Sequence, residues 1–238
     1  MTSDGKTALA LLVSAGLLLG TAACSSPASG GSGSGAGTDG AKLSYAKLKS
    51  AVQGLGADPS CPFGLDLAAA LKAGGIDRSV TPASATGKAV RADVVPAEAA
   101  PPPPSGPKPS GPAGALPGRP ENIQVWCSYT AGTSPVEIAV LAAPAEKVAV
   151  NLALPYIGEA GGLTADQLVT ASADQPAPGE ARTTPGRASV GIARVAVADK
   201  GDLAVVVSQG TEAVTPDAAL TGEPLRGLAQ RLAAQLHL

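Results

Sequence analysis

The stretch IQVWCSYTAGTSPVEIAVLA, residues 123–142, decides the fold of this chain. On both sides of Thr133-Ser134-Pro135, large apolar residues recur at every second position, which is the period of a β-strand with one buried face. Two such runs joined by a short turn predict an antiparallel hairpin. A second hairpin is predicted further along, with strands over residues 188–198 and 203–208 around the turn Asp199-Lys200-Gly201-Asp202.

Helices are predicted before, between and after the hairpins. The first spans residues 42–55 with Ser44 as its N-cap, and the second opens at Ser60-Cys61-Pro62 and closes at Gly74-Gly75. A third begins at Pro144 and ends near Pro155, and Thr164 caps a short fourth helix. Leucines stripe one face of a last helix: Leu225, Leu228, Leu232 and Leu236. This order predicts an α+β fold, an antiparallel sheet of about four strands with helices packed on one face.

The N-terminus has the pattern of an export signal. Residues 7–20 form an apolar run that is shorter than the roughly 20 residues of a membrane-spanning helix but suits a signal peptide. Thr21-Ala22-Ala23-Cys24 follows and resembles a bacterial lipobox, in which the cysteine is lipidated. The alternative is an ordinary secretory signal with a chance cysteine. We therefore expect a signal peptide over 1–23, a flexible Gly/Ser tether over 24–41, and a membrane anchor at Cys24 on the extracytoplasmic face.

Two cysteines remain after Cys24, namely Cys61 and Cys127. In an exported chain such a pair predicts one disulfide, worth on the order of 4 kcal/mol for a loop of this length. Between them, residues 96–120 include ten prolines, and proline-rich chain cannot form sheet ladders. Because the disulfide straddles this segment, we interpret it as a disordered insertion within a single domain, 42–238. A partner-binding segment is the alternative.

The composition argues against several classes of function. With 17 Lys+Arg against 19 Asp+Glu, the chain lacks the basic surface of a nucleic-acid binder. Its only histidine, His237, is next to the C-terminal residue, where a catalytic triad has little support. No clustered metal ligands, phosphate-binding loop or dinucleotide fingerprint is present in the sequence. We therefore expect neither an enzyme nor a bound metal or cofactor.

Trp126 is the one side chain that the pattern marks as a candidate contact. If strand alternation holds, Val125 and Cys127 face the core, and Trp126 faces the opposite side between Gln124 and Ser128. There it is either covered by a helix or returning chain, or it lies in an open groove as an anchor for a ligand or partner.

Taken together, these features resemble small actinobacterial surface lipoproteins of the streptomycete and mycobacterial type. The lipobox, the Gly/Ser tether, the helix opened by Cys61-Pro62 and the Trp126-Cys127 strand carry the resemblance, over about residues 1–75 and 121–238. It implies a location at the envelope and no catalytic residue. We expect a protein-interaction or envelope-accessory lipoprotein with an envelope protein as its partner. A lipid or small-molecule carrier, with a pocket between sheet and helices, is the alternative.

Overall fold

A seven-stranded antiparallel sheet organises the protein, of which the computed structural model describes residues 43–56, 60–83, 89–100, 118–186, 188–211 and 215–238. Cys24, the predicted signal peptide and tether, and residues 101–117 of the predicted insertion lie outside these ranges. The strands are β1 (Val80–Pro82), β2 (Val90–Val95), β3 (Asn122–Ala131), β4 (Ser134–Ala143), β5 (Ala181–Thr183), β6 (Gly191–Val195) and β7 (Asp202–Ser208). From β3 the order is β3-β4-β7-β6-β5, and both β1 and β2 pair with the free side of β3.

The predicted hairpin over residues 123–142 is confirmed as β3 and β4. Cys127 lies opposite Ile138, and Ala131 lies opposite Ser134. The connecting loop is therefore Gly132-Thr133 rather than Thr133-Ser134-Pro135. Gly132 has a φ of +64°, a left-handed conformation that glycine adopts without a steric penalty. The second predicted hairpin is also confirmed, as β6 and β7.

The prediction of about four strands was wrong. The sheet also contains β1, β2 and β5, of which β1 and β5 have only three residues each. Such short strands give no recognisable period in the sequence. The strand β2 has six residues but contains Arg91 and Asp93, whose exposed side chains are typical of a protected sheet edge.

The described part of the chain contains five α-helices: α1 (Tyr45–Gln53), α2 (Leu67–Ala73), α3 (Ala149–Gly161), α4 (Ala165–Ala173) and α5 (Gly222–Gln235). A 3-10 turn spans Ala218–Leu220. Ser44 and Thr164 cap α1 and α4 as predicted. The start of α2 was predicted too early, because Phe63 and Gly64 have positive φ angles and Asp66 supplies the cap. The end of α3 was also predicted too early, since Pro155 lies on its exposed side within the helix.

Helices cover both faces of the sheet, so the prediction of one covered face was wrong. On one face α1, α2 and α5 close the leucine-rich core, whose buried leucines are Leu48, Leu65, Leu67, Leu71, Leu203, Leu220, Leu225, Leu228, Leu232 and Leu236. On the other face α3 closes the alanine-rich core, whose buried alanines are Ala139, Ala149, Ala153, Ala160 and Ala204. Neighbouring residues of β4 and β7 alternate between the two cores, as Val205 and Val206 do.

The predicted disulfide is present. Cys61 and Cys127 are bonded, with their Cα atoms 5.8 Å apart. Cys127 is buried in the leucine-rich core, and Cys61 lies in the turn that precedes α2. The bond therefore fastens the first helices to the central hairpin.

Within the described ranges, none of the helices combines the length and the apolar character needed to span a bilayer.

Candidate functional site

Trp126 lies on the face of β3 that is opposite to the leucine-rich core, as strand alternation predicts. Val125 and Cys127 are buried in that core, whereas Trp126 packs at the margin of the alanine-rich core and is partly exposed. Its neighbours across the sheet are Arg91 on β2 and Ala139 on β4. The small side chain of Ala139 leaves room for the indole ring on this face.

Two side chains hold the indole ring of Trp126 in place. The ring of Tyr156, from α3, meets it edge-on, with the centroids 4.7 Å apart and the planes at 76°. The guanidinium carbon of Arg91 lies 5.7 Å from the indole centroid, in the geometry of a cation–π contact. The indole is therefore neither fully covered nor free in an open groove. A cation and a second aromatic ring orient it, and part of its surface is exposed to solvent.

Tyr156 is itself fixed by polar contacts. Its hydroxyl donates to Glu137 Oε2 at 2.7 Å and contacts the hydroxyl of Ser208. The Gly210 amide also donates to Ser208 Oγ, at 2.9 Å. Burial, together with the nearby charge of Glu137, raises the pKa of Tyr156 well above its ordinary value. The phenol stays protonated at neutral pH, so it orients its neighbours as a donor and cannot serve as a base.

A polar surface surrounds Trp126. The helix α3 packs over β4 and β7. Beyond it, the same sheet face is formed by exposed and half-buried side chains of β2 and β3. We call this area the tryptophan surface: Arg91, Asp93, Gln124, Trp126 and Ser128. It offers one aromatic ring, charges of both signs and neutral hydrogen-bonding groups.

A second polar feature is a cleft of about 470 Å³ between the start of α3, the end of α4 and strands β5 and β6. The cleft residues that matter for its chemistry are Lys147, Asn151, Gln175, Glu180, Arg182 and Arg194. None of them belongs to the tryptophan surface.

A buried ion pair lies beside this cleft. Arg194 donates through Nε and Nη2 to Asp202 Oδ1, at 3.0 and 2.7 Å, and through Nη1 to the Pro176 carbonyl at 3.2 Å. The other oxygen of Asp202 accepts the Ala149 amide at 2.8 Å, which caps the start of α3. Asp202 thus joins β6, β7 and α3, an arrangement that fixes this wall of the cleft.

The sequence identified only part of these sites. It placed Trp126 on the correct face but did not indicate its contacts with Arg91 and Tyr156, because residues far apart in sequence meet only through the sheet order. Alternation along β2 was a usable signal for Arg91. The Asp202 residue was assigned to a turn, where acidic residues are common, so its buried pairing with Arg194 gave no signal.

Of the remaining residues that the sequence singled out, His237 lies within the described ranges. His237 is exposed, its amide donates to the Phe63 carbonyl at 3.1 Å, and its ring packs against Gly64. Among the described residues, no group of three or more His, Cys, Asp and Glu side chains is placed to hold a metal ion. Cys24 lies outside the described ranges.

Comparison of the chain with protein-family models, with curated proteins and with solved structures found no match.

Proposed function

We propose that this protein is a non-catalytic, lipid-anchored module of the extracytoplasmic envelope that binds a protein partner through its tryptophan surface. The observation that carries the proposal is the contact of Arg91, Trp126 and Tyr156 at one partly exposed place. Tryptophan, tyrosine and arginine are the residues most enriched among binding hot spots. Here Trp126 contacts both Tyr156 and Arg91.

The rigidity of the cluster supports the same function. Trp126 is held on a central hairpin, and Tyr156 is held by Glu137 and Ser208. A side chain that is ordered before binding loses less conformational entropy when the partner arrives. The mixed charges of Arg91 and Asp93 would lie at the rim of such an interface, where they favour selectivity over affinity.

The proposed location depends on the N-terminal pattern. Residues 24–41 would tether the domain to the membrane through an acylated Cys24, and α1 begins at Tyr45, shortly after the tether ends. Native mass spectrometry of the full protein, mildly extracted from its own envelope, tests this part. A mass increase located at Cys24 is expected, and an unmodified Cys24 would contradict the anchor.

Site-specific cross-linking tests the partner. A photoreactive residue at Gln124, on the tryptophan surface, should capture one envelope protein in intact cells. The same residue at Val169, an exposed position on α4, is the matched control and should not. The substitution Trp126→Ala should reduce the captured amount at least tenfold, as expected when a hot-spot side chain is removed.

Capture that is equal at Gln124 and Val169, or unaffected by Trp126→Ala in a folded protein, would contradict the proposal. A circular dichroism spectrum and a urea unfolding curve of the variant establish that the domain is folded. The second candidate function is a carrier, and the polar cleft favours a polar small molecule over a lipid as its ligand.

A further inference from the structure

The polar cleft beside α3 has a buried, positively charged side chain in its wall. The side chain of Arg194 is nine-tenths buried, yet it lines the cleft. A guanidinium has five N–H donors. Asp202 and the Pro176 carbonyl accept three hydrogen bonds from Nε, Nη2 and Nη1, which leaves two N–H groups without a described acceptor. These donors suit a carboxylate or carbonyl oxygen placed in the cleft.

Unpaired charges of opposite sign also line the cleft. Arg182 forms an ion pair with Asp174, and Arg194 forms one with Asp202. Lys147 and Glu180, in contrast, form no ion pair with any residue that the structure describes. Within the described part of the chain, the carboxylate of Glu180 accepts only the Ala177 amide, at 3.4 Å. The cleft therefore offers a ligand one ammonium and one carboxylate that are not in ion pairs, in addition to the spare donors of Arg194.

From this donor set we infer that the cleft binds a small zwitterion, an amino acid or a short peptide. In this pairing the ligand carboxylate contacts Arg194 and Lys147, and its ammonium contacts Glu180. The cleft volume of about 470 Å³ is within the ordinary range for small-ligand sites. A ligand with a single charge would leave either Lys147 or Glu180 without an ionic partner.

The amide of Gln175 is consistent with a ligand that carries N–H donors. Its nitrogen donates to Asn151 Oδ1 at 2.8 Å and to the Ser172 carbonyl at 3.2 Å, which fixes the orientation of the amide. The amide oxygen is buried and has no hydrogen-bond partner among the described residues. Buried acceptors are rarely left unpaired. Because Gln175 lines the cleft, a ligand N–H group is a candidate partner for this oxygen.

Calorimetric titration of the full-length protein in detergent tests the inference with defined probes. L-alanine and L-alanyl-L-alanine are the zwitterions, and propionate and ethylamine each carry only one of the two charges. We expect at least one zwitterion to bind, and to bind at least tenfold more tightly than either single-charge probe. Binding of propionate or inorganic phosphate as tight as that of the zwitterions would overturn the inference, as would the absence of any binding at millimolar concentration.

Substitutions at the two unpaired charges locate the site. Lys147 and Glu180 are exposed, so Lys147→Gln and Glu180→Gln leave the fold intact, whereas replacing buried Arg194 endangers it. Each substitution should weaken zwitterion binding about tenfold. Lys200→Gln, at an exposed lysine that does not line the cleft, is the matched control and should not change it. Binding that survives both cleft substitutions would place the ligand elsewhere and overturn the assignment.

Discussion

The two cores on either side of the sheet are built from different side chains. The leucine-rich core is closed by three helices, α1, α2 and α5, and contains the disulfide. The alanine-rich core is closed by α3 and leaves strands β2 and β3 with a polar surface. Large side chains bury more apolar area per residue, so most of the hydrophobic stabilisation belongs to the first core. The second face is where both candidate binding sites lie.

The cores also differ in what limits their packing. On the leucine-rich side, α5 approaches β6 so closely at Gly191 that an added Cβ atom would lie 2.8 Å from the Leu225 carbonyl oxygen. On the other side, the small side chains of Ala139 and Ala204 are buried in the core that α3 closes. We therefore expect added atoms to be tolerated poorly at these close approaches on both sides. The leucine-rich core, which has more large side chains, should lose more stability when atoms are removed.

Removing the disulfide should have the largest effect. The double substitution Cys61→Ala and Cys127→Ala releases the turn before α2 from β3, and we expect the free energy of unfolding to fall by about 4 kcal/mol. Urea unfolding measures the loss, and reduced wild-type protein should show a similar one. A loss below about 1 kcal/mol would mean that the leucine-rich core holds the first helices without the covalent bond.

Truncation of a buried leucine should cause the second-largest loss of stability. Leu228 is fully buried between α5 and the sheet, so Leu228→Ala should lower the free energy of unfolding by about 3 kcal/mol. Arg226→Ala removes an exposed side chain of the same helix and its surface ion pair with Glu223, and should change stability by less than about 0.5 kcal/mol. Equal effects of the two substitutions would contradict the role given to this core.

Replacing a buried alanine with a larger residue should destabilise the alanine-rich core. Ala204 is fully buried on the face that α3 covers, so Ala204→Leu should push the helix outward and cost about 2 kcal/mol. Ala196→Leu, at an exposed position beyond β6, is the matched control and should be nearly neutral. If Ala204→Leu were neutral too, the alanine-rich core would contain unfilled space.

These contrasts show what the sequence could predict. The alternation over residues 123–142 predicted the central hairpin, and the leucine stripe predicted α5, because each pattern is local and repeats over several residues. The second covered face was missed because α3 is rich in small residues, so its buried stripe of Ala149, Ala153 and Ala160 has little contrast with the exposed positions. The pairing of Arg91 with Trp126 depends on where β2 joins the sheet, which no local period specifies.

Acid should weaken a hydrogen-bonded ion pair at the edge of the leucine-rich core. Hydrogen bonds from Arg78 and Ser134 lower the pKa of Asp217 to about 2, below its unfolded value of about 4. The lowered pKa stabilises the fold above pH 4, and this contribution is lost as the pH falls from about 4 to 2. With Asp217 partly exposed, the contribution is about 1–2 kcal/mol. Urea unfolding at several pH values should show this loss in the wild type and a smaller one in Asp217→Asn. Identical pH profiles would exclude Asp217 as the titrating group.

The smallest effect on stability should come from the tryptophan surface. Arg91 is exposed, so Arg91→Ala removes only its cation–π contact and should lower the free energy of unfolding by no more than about 0.5–1 kcal/mol.

Because Trp126 is the only tryptophan in the chain, its fluorescence reports on this place alone. Loss of the covering guanidinium should make the indole more accessible to acrylamide quenching. Asp93→Ala, at the next position on the same face of β2, is the matched control and should leave quenching unchanged. If both variants quenched like the wild type, Arg91 would not cover the indole in solution. The fixed orientation of the indole ring would then have to come from Tyr156 alone.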